Sequence, residues 1–429
     1  MTKSATMAKI AGEISSSVIS TISREAAVGL GQIALTPLFI IRFGQNDYSK
    51  WLTMLAYSSF IVLADFGLST VIVSKLIFVL ENFKAFDNLL WIWFKRKTLI
   101  IAFFMTTIVA LFCAMKFPFN LTGKNFFDSN AILFMALAVS SFVTLHQHFW
   151  LYKLQIVGLA SHGQKRLTAM RSLEIVSIAS LLNFDFSLIA FAWIFVFLKI
   201  LFFLLLKISN RNLLAKYPNF ISNQSTNGLM IPAISNGFIT SANVISLHGT
   251  LILASTWLGP KALIAIVVAR MLTSPIRILG TAFTSASLPF LIRANHSNSF
   301  EKKSLRILKL LPKVSILVLL SATCILLAIS NTTWNILSHH IIPYNRTLVI
   351  MFALSTLSDA ILAIRFQPKI SSNSAFVGSV IYLLSTTIST ISQRFAGIYI
   401  GIVAVPICII IADLITLSYI FLSEWQHAN

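Results

Sequence analysis

Apolar runs long enough to cross a bilayer recur along almost the whole chain, and no other feature limits its possible folds as strongly. The hydrocarbon core of a membrane takes about 20 apolar residues of helix. The stretch from Gly29 to Leu76 shows the pattern: two long apolar segments flank the polar turn Arg42-Phe43-Gly44-Gln45-Asn46-Asp47-Tyr48-Ser49-Lys50. Inside lipid every backbone donor and acceptor must be met within the segment, so these runs read as helices. A transmembrane barrel would instead show alternating segments of about ten residues. Charged residues are 11% of the chain and hydrophobic ones 57%, whereas soluble domains carry about 25% charge. The expected class is an all-α polytopic membrane protein.

The runs divide into about twelve spans, at roughly 15–41, 51–74, 98–115, 130–152, 167–182, 187–206, 229–257, 261–287, 310–329, 343–364, 376–391 and 397–422. A polar stretch separates two halves of six spans. The expected organisation is an N-terminal six-helix lobe over 1–206, a cytoplasmic linker over 207–228 and a C-terminal six-helix lobe over 229–429. Loop charge sets the orientation. Lys95, Arg96 and Lys97, then Lys165 and Arg166, then Lys207 and Arg211, then Lys302, Lys303 and Arg306 fall on one side. The opposite loops are short and hold few cations, such as Arg42, Lys50, Lys261 and Arg346. Cation-rich loops stay in the cytoplasm, so both termini are expected there. The same rule accounts for most of the net charge of +20. A nucleic-acid partner would need a clustered basic face on a soluble domain, and no soluble domain is visible to carry one. Cys113, Cys324 and Cys408 lie in apolar runs and read as buried hydrophobes rather than disulfides or a zinc site. Gly44 and Gly259 open outer turns about half a chain apart, which points to parallel internal repeats.

Signatures of soluble enzymes are absent, including the P-loop, the nucleophile elbow and paired cysteines. The expectation is a non-enzyme with no catalytic residues, cofactor or metal. What remains is charge inside apolar runs, which is costly there and points to function. Arg270 and Arg277 stand two turns apart in the eighth span and share one face. An arginine at the bilayer centre costs at least ~2.5 kcal/mol, so this face meets water or an anion rather than lipid. Arg277 also has the option of snorkelling to the inner interface. Arg24 and Glu25 in the first span, and Asp65 in the second, lie about nine residues or ~13 Å from the inner ends. An Arg24–Asp65 or Arg24–Glu25 pair is geometrically open. So are an interfacial Arg24 and a packing role for Asp65 beside Gly67. Asp359 and Asp413, in the tenth and twelfth spans, either balance an arginine or carry a proton. Asp65, Glu25, Asp359 and Asp413 are therefore the candidate gate or coupling groups. Lys199 reads as snorkelling, and His146, His148 and His248 as packed neutral histidines.

The hairpin Arg42-Phe43-Gly44-Gln45-Asn46-Asp47-Tyr48-Ser49-Lys50-Trp51, followed by Ala64-Asp65-Phe66-Gly67-Leu68-Ser69, resembles polysaccharide repeat-unit flippases of the O-antigen (Wzx) type. That family reads Arg-x-Leu-Gly-x-x-x-Tyr-Gly-x-Trp and then Leu-Asp-x-Gly-Leu. Here Phe43 replaces Leu, Ser49 replaces Gly, and Ala64 precedes the aspartate. Trp257-Leu258-Gly259, Ala269-Arg270 and Leu288-Pro289 fit the second half. Elsewhere the likeness is in span count and loop pattern. The resemblance implies a MATE-like fold of the multidrug/oligosaccharidyl-lipid/polysaccharide (MOP) exporter superfamily, with two lobes around a cavity. It implies an undecaprenyl-diphosphate-linked oligosaccharide as cargo, moved from the cytoplasmic to the periplasmic leaflet by alternating access. It implies a cationic substrate-binding cavity, which falls on Arg270, Arg277 and Arg24. It also implies the bacterial inner membrane, membrane lipid around the chain, and other polysaccharide-assembly membrane proteins as partners. The coupling ion, H+ or Na+, stays open. Two alternatives stand beside this reading. A MATE-type cation or drug antiporter is permitted by Asp65, Asp359 and Asp413. A membrane polysaccharide polymerase or ligase would need a large outer loop, and every outer loop here is short. Tyr48, Trp51 and Trp257 near the outer ends read as interfacial aromatics, or as surfaces on which sugars stack.

Overall fold

The computed structural model describes residues 3–65, 67–69, 71–73, 75–76, 86–116, 129–157, 159–214, 219–220, 230–296, 302–338, 342–371 and 374–428. The order of elements is α1 (Lys3–Ser59), a 3-10 turn (Phe60–Asp65), β1 (Phe86–Asp87), α2 (Asn88–Lys116), α3 (Ser129–Ile156), α4 (Ala160–Leu181), α5 (Leu188–Leu214), β2 (Asn219–Phe220), α6 (Met230–Val244), a π-helical turn (Ile245–Gly249), α7 (Thr250–Trp257), α8 (Gly259–His296), α9 (Lys302–Ser338), α10 (Arg346–Ser371), α11 (Phe376–Ile400), a 3-10 turn (Gly401–Val403) and α12 (Ala404–Ala428). Among the described residues seven stretches are long and apolar enough to cross a membrane; the last, Phe376–Ser423, joins α11 and α12. Phe103, Ile208, Ile329, Ile388 and Ile398 are each more than half exposed. Apolar exposure on that scale belongs against lipid. The protein is an all-α polytopic membrane protein.

Helix ends depart from the expected spans where backbone chemistry intervenes. Helix α1 begins at Lys3 and passes through the polar turn, because Gly44 joins two helices with φ 75° and ψ 171°. Only glycine adopts that conformation readily. Gly259, its expected counterpart in the second half, also has a positive φ of 81°. Helix α11 continues past Arg394 and ends at Gly401, where φ is 59°. Much of the expected linker 207–228 and of the outer loop 116–129 lies outside the described residues.

The chain forms two compact units, Ala34–Ile264 and Met1–Ile33 with Ala265–Asn429. In the first unit, Phe39, Phe43, Tyr48, Trp51, Phe191 and Phe195 interlock with ring centroids 5.2–5.7 Å apart. Arg42 pairs with Asp185 at 2.6 Å beside this cluster. Such tilted and edge-on contacts add about 0.5–1.5 kcal/mol per pair beyond burial. The cluster fastens the Gly44 turn to α5. The second expected span is broken: helix gives way to the Phe60–Asp65 turn, and Gly67 follows with φ 67°. A Cβ on Gly67 would stand 2.4 Å from both Asn236 Cβ and the Gly237 nitrogen. Glycine is thus required twice, for its dihedral and for the close approach of α6. Strand β1 pairs in parallel with β2. Asp87 accepts hydrogen bonds from the Leu89 and Leu90 N–H groups, at 3.0 and 3.1 Å, and caps α2.

The second unit packs through small residues. Gly29 of α1 lies against Ile278 Cδ1 of α8, and Gly280 of α8 against Ala360 of α10. Thr356 Oγ1 donates to Thr273 Oγ1 at 3.1 Å, a further link between α8 and α10. Between α11 and α12, Ser385 bonds Thr416 and the Ala412 carbonyl, and Ser389 donates to the Cys408 carbonyl. Small residues with hydroxyl bonds across the contact are the usual means of helix packing in lipid, where no hydrophobic force drives association.

Candidate functional site

Among the described residues, intramembrane charge forms one cluster in each unit, and Asp65 stands apart from both. In the unit of Met1–Ile33 and Ala265–Asn429 it gathers on α8, α10 and α12. Helix α8 continues through Pro275 and carries Arg270 and Arg277 within electrostatic reach of each other. The Arg270 guanidinium lies over the Phe352 ring, 5.8 Å from its centroid. A cation against an aromatic face retains part of the stabilisation it loses on leaving water. Asp359 of α10 lies within reach of Arg277 and of Asp413. Tyr382 of α11 donates its phenol to Asp359 at 3.3 Å, and Ser358 donates to Asp413 at 2.6 Å. Asp413 is only 2% exposed.

The expected charges Arg270, Arg277, Asp359 and Asp413 are therefore neighbours, although they are spread over more than a hundred residues of sequence. Tyr382 and Ser358 complete the group; both are uncharged, so neither stands out in the sequence as the buried charges do. Two arginines and two ionised aspartates sum to zero. One proton on the carboxylate pair leaves a cationic site, which can take an anion.

Arg24 and Glu25 lie on α1, whose first part belongs to this same unit. Their side chains are outside the described residues.

Asp65 belongs to the other unit, where it serves the broken helix. Its carboxylate accepts from the Ser69 hydroxyl at 2.5 Å and from the Ser69 N–H at 3.2 Å, with Tyr152 a further donor. Ser69 opens the helical turns that resume after Gly67, so Asp65 acts as the cap of that restart.

The second charge cluster joins α3, α4 and α5. Arg171 binds Glu174 at 2.6 Å and Gln147 Oε1 at 3.1 Å. Lys199 donates to Thr144 Oγ1 at 3.1 Å, stands 3.9 Å from Glu174 and lies over the Phe195 ring. The Lys199 side chain is 11% exposed. It turns into the bundle instead of snorkelling, because Glu174 offers a carboxylate there. The Arg171–Glu174 spacing of one helical turn was the available sequence signal. The same pair makes α4 look too polar to be a full span. His146 is held by the Phe142 carbonyl at 3.0 Å and packs on Phe149 and Phe203.

At the Gly44 turn the aromatics do not form an exposed platform. Tyr48 and Trp51 are buried. Tyr48 shares a 3.1 Å bond with Thr36, and burial pushes its phenol up to about 12 against the lowering effect of that bond.

No protein-family model matches the sequence, and no curated protein matches it either. Solved structures do. A MATE transporter in complex with MaL6 superposes over 97% of this chain and 95% of its own, with TM-score 0.63 and 12% identity. The Vibrio cholerae MATE transporter VcmN gives TM-score 0.62 at 10% identity, covering 98% of this chain and 97% of its own. A MOP superfamily transporter from Pyrococcus furiosus, described by the reverse polarity of its binding pocket, gives 0.55 at 12% identity, over 97% of this chain and 95% of its own. The fold is MATE-like over nearly the full length.

Proposed function

We propose that this chain is a transporter that moves an anionic, lipid-linked oligosaccharide across the bacterial inner membrane by alternating access, and is not an enzyme. The single observation behind this reading is the α8 pair Arg270 and Arg277, held in one membrane-spanning helix within reach of each other. A diphosphate is what two such groups suit. Arginine stays protonated, presents donors in a planar fork and binds phosphate oxygens in pairs. Asp359 and Asp413 act as the coupling groups. While both are ionised they neutralise the arginines and disfavour an anionic cargo. Uptake of one proton or a monovalent cation by the pair restores the excess positive charge and favours binding. Cargo affinity and ion occupancy are then linked, and the linkage is reciprocal. Undecaprenyl-diphosphate-linked repeat units of the O-antigen kind meet this chemistry. Other membrane proteins of polysaccharide assembly would supply and consume them.

Genetic complementation tests the reading. The chain is expressed in bacteria that lack their repeat-unit flippase, and surface polysaccharide is measured. Restoration that depends on Arg270 is the expected result. A wild-type chain that is present in the membrane and extrudes cationic drugs, without restoring polysaccharide, would replace this reading.

That replacement is the second reading, a MATE-type cation or drug antiporter. It is favoured by the neighbouring Asp359 and Asp413, the latter buried, and by the MATE transporters among the structural neighbours. Competition separates the two: polyvalent anions inhibit the first transporter, and lipophilic cations the second.

A further inference from the structure

Helix α2 presents one face on which charge and apolar surface are ordered by depth. Ile92, Lys95, Arg96, Leu99, Ile100 and Phe103 line a shallow, open surface groove on that helix. Their spacing of three and four residues places all six on a single stripe. Lys95 and Arg96 stand just before Thr98, where the apolar run begins. Phe103 lies seven residues beyond Arg96, about 10 Å deeper at 1.5 Å per residue. Ile92, Ile100 and Phe103 are exposed, as is Arg96. Lys95 leans towards α3, with its ammonium 5.9 Å from the Phe149 centroid. Lys153 of α3 is within electrostatic reach of Lys95. Three cations therefore converge at the membrane boundary directly above an open apolar track.

We infer that this groove holds one anionic phospholipid of the cytoplasmic leaflet. Its phosphate lies between Lys95 and Arg96, and one acyl chain runs along Leu99, Ile100 and Phe103. Cations at the boundary are what a phosphate needs, and apolar side chains one and two turns below are what a chain attached to it needs. Like charges gathered at one point repel, and an anionic headgroup relieves that repulsion while a zwitterionic one does so only in part. The site lies on the lipid side of α2, shares no residue with the α8–α10–α12 cluster, and is independent of the cargo.

Native mass spectrometry of the full chain, purified in detergent and supplied with phosphatidylglycerol or phosphatidylcholine, tests this. Wild type is expected to retain phosphatidylglycerol in preference. The K95Q/R96Q variant is expected to lose about thirtyfold in apparent affinity for phosphatidylglycerol and to lose much less for phosphatidylcholine. Arg96→Gln alone, at an exposed position, keeps the test valid if the double variant fails to fold, and should lose about fivefold. Lys97→Gln, adjacent but off the stripe, should bind as wild type does. Equal retention of the two lipids by wild type overturns the proposal. So does undiminished phosphatidylglycerol binding by both K95Q/R96Q and Arg96→Gln, or a groove that takes a polyprenyl diphosphate but not phosphatidylglycerol.

Discussion

On the proposed function, Arg270 is the single residue whose replacement should matter most. Replacing it with alanine leaves Asp359 and Asp413 facing one arginine instead of two, so an anionic cargo loses a donor and meets net negative charge. Surface polysaccharide in the complementation assay should fall to background in Arg270→Ala while membrane protein levels persist. Arg270→Lys should recover part of the signal, since charge returns without the fork. Full activity in Arg270→Ala would remove this residue from the mechanism. The cluster of Arg171, Glu174 and Lys199 calls for a different measurement, because its role is structural. Glu174→Gln leaves two cations buried without their carboxylate and should cost about 3–5 kcal/mol of stability. Lys199→Met leaves the Arg171–Glu174 pair intact and should be close to neutral. Thermal unfolding in detergent separates these outcomes; equal losses would show that Lys199 contributes as much as the carboxylate. At this scale sequence identifies the charged residues but not their partners. Asp359 and Asp413 stand out as costly carboxylates in apolar runs, whereas their proximity depends on how α10 and α12 pack. Lys199 reads as snorkelling for the same reason: its partner Glu174 lies in another helix, and sequence distance hides the pair.

Elements are bounded by a few residues whose backbone demands are specific. Gly44 and Gly67 both have positive φ, yet their surroundings differ. No atom stands within 4 Å of a Cβ placed on Gly44, while Gly67 faces Asn236 and Gly237 at 2.4 Å. Gly44→Ala should therefore cost only the dihedral penalty of about 1–3 kcal/mol. Gly67→Ala adds a clash with backbone and should abolish accumulation of folded protein. Comparable yields of the two variants in membranes would contradict the close approach of α6. Asp65→Asn keeps an acceptor for the Ser69 N–H but loses the charge-assisted bond to its hydroxyl. A loss of about 1–2 kcal/mol in thermal stability is expected, with transport per folded molecule retained. Normal stability with no transport would return Asp65 to the gate. The Gly44 turn is readable from sequence because Gly, Asn and Asp cluster there between two apolar runs. The break at Phe60–Asp65 is not, since FIVLAD is as apolar as the helix it interrupts. Its cause is the carboxylate of Asp65 and the packing of Gly67, which hydropathy does not record.

For the whole molecule, one physical requirement makes the class legible: backbone polar groups in lipid must be satisfied locally. Long apolar runs then mean helices, and a MATE-like arrangement follows over nearly the full chain at 10–12% identity. Fold survives such divergence because lipid-facing positions accept almost any apolar residue. Cargo does not follow from the fold, since it depends on a handful of polar side chains in the spans. Orientation is a property of the whole chain too, and it rests on loop charge. If the cation-rich loops lie in the cytoplasm, Asn46 in the Gly44 turn is expected to face the outside and His162, in the first turn of α4, the cytoplasm. Both are exposed and uncharged by formal count, so cysteine replacements leave the charge pattern untouched. In a background lacking the native cysteines, Asn46→Cys should react with a membrane-impermeant maleimide in intact spheroplasts. His162→Cys should react only after permeabilisation. The opposite pattern would invert the topology and place Lys95 and Arg96 at the outer surface. Arg270 and Arg277 would then be approached from the wrong leaflet for a cargo assembled in the cytoplasm. Labelling of both positions in intact cells would mean that an odd number of crossings has been missed between residues 46 and 162, a region that includes the undescribed stretch 117–128.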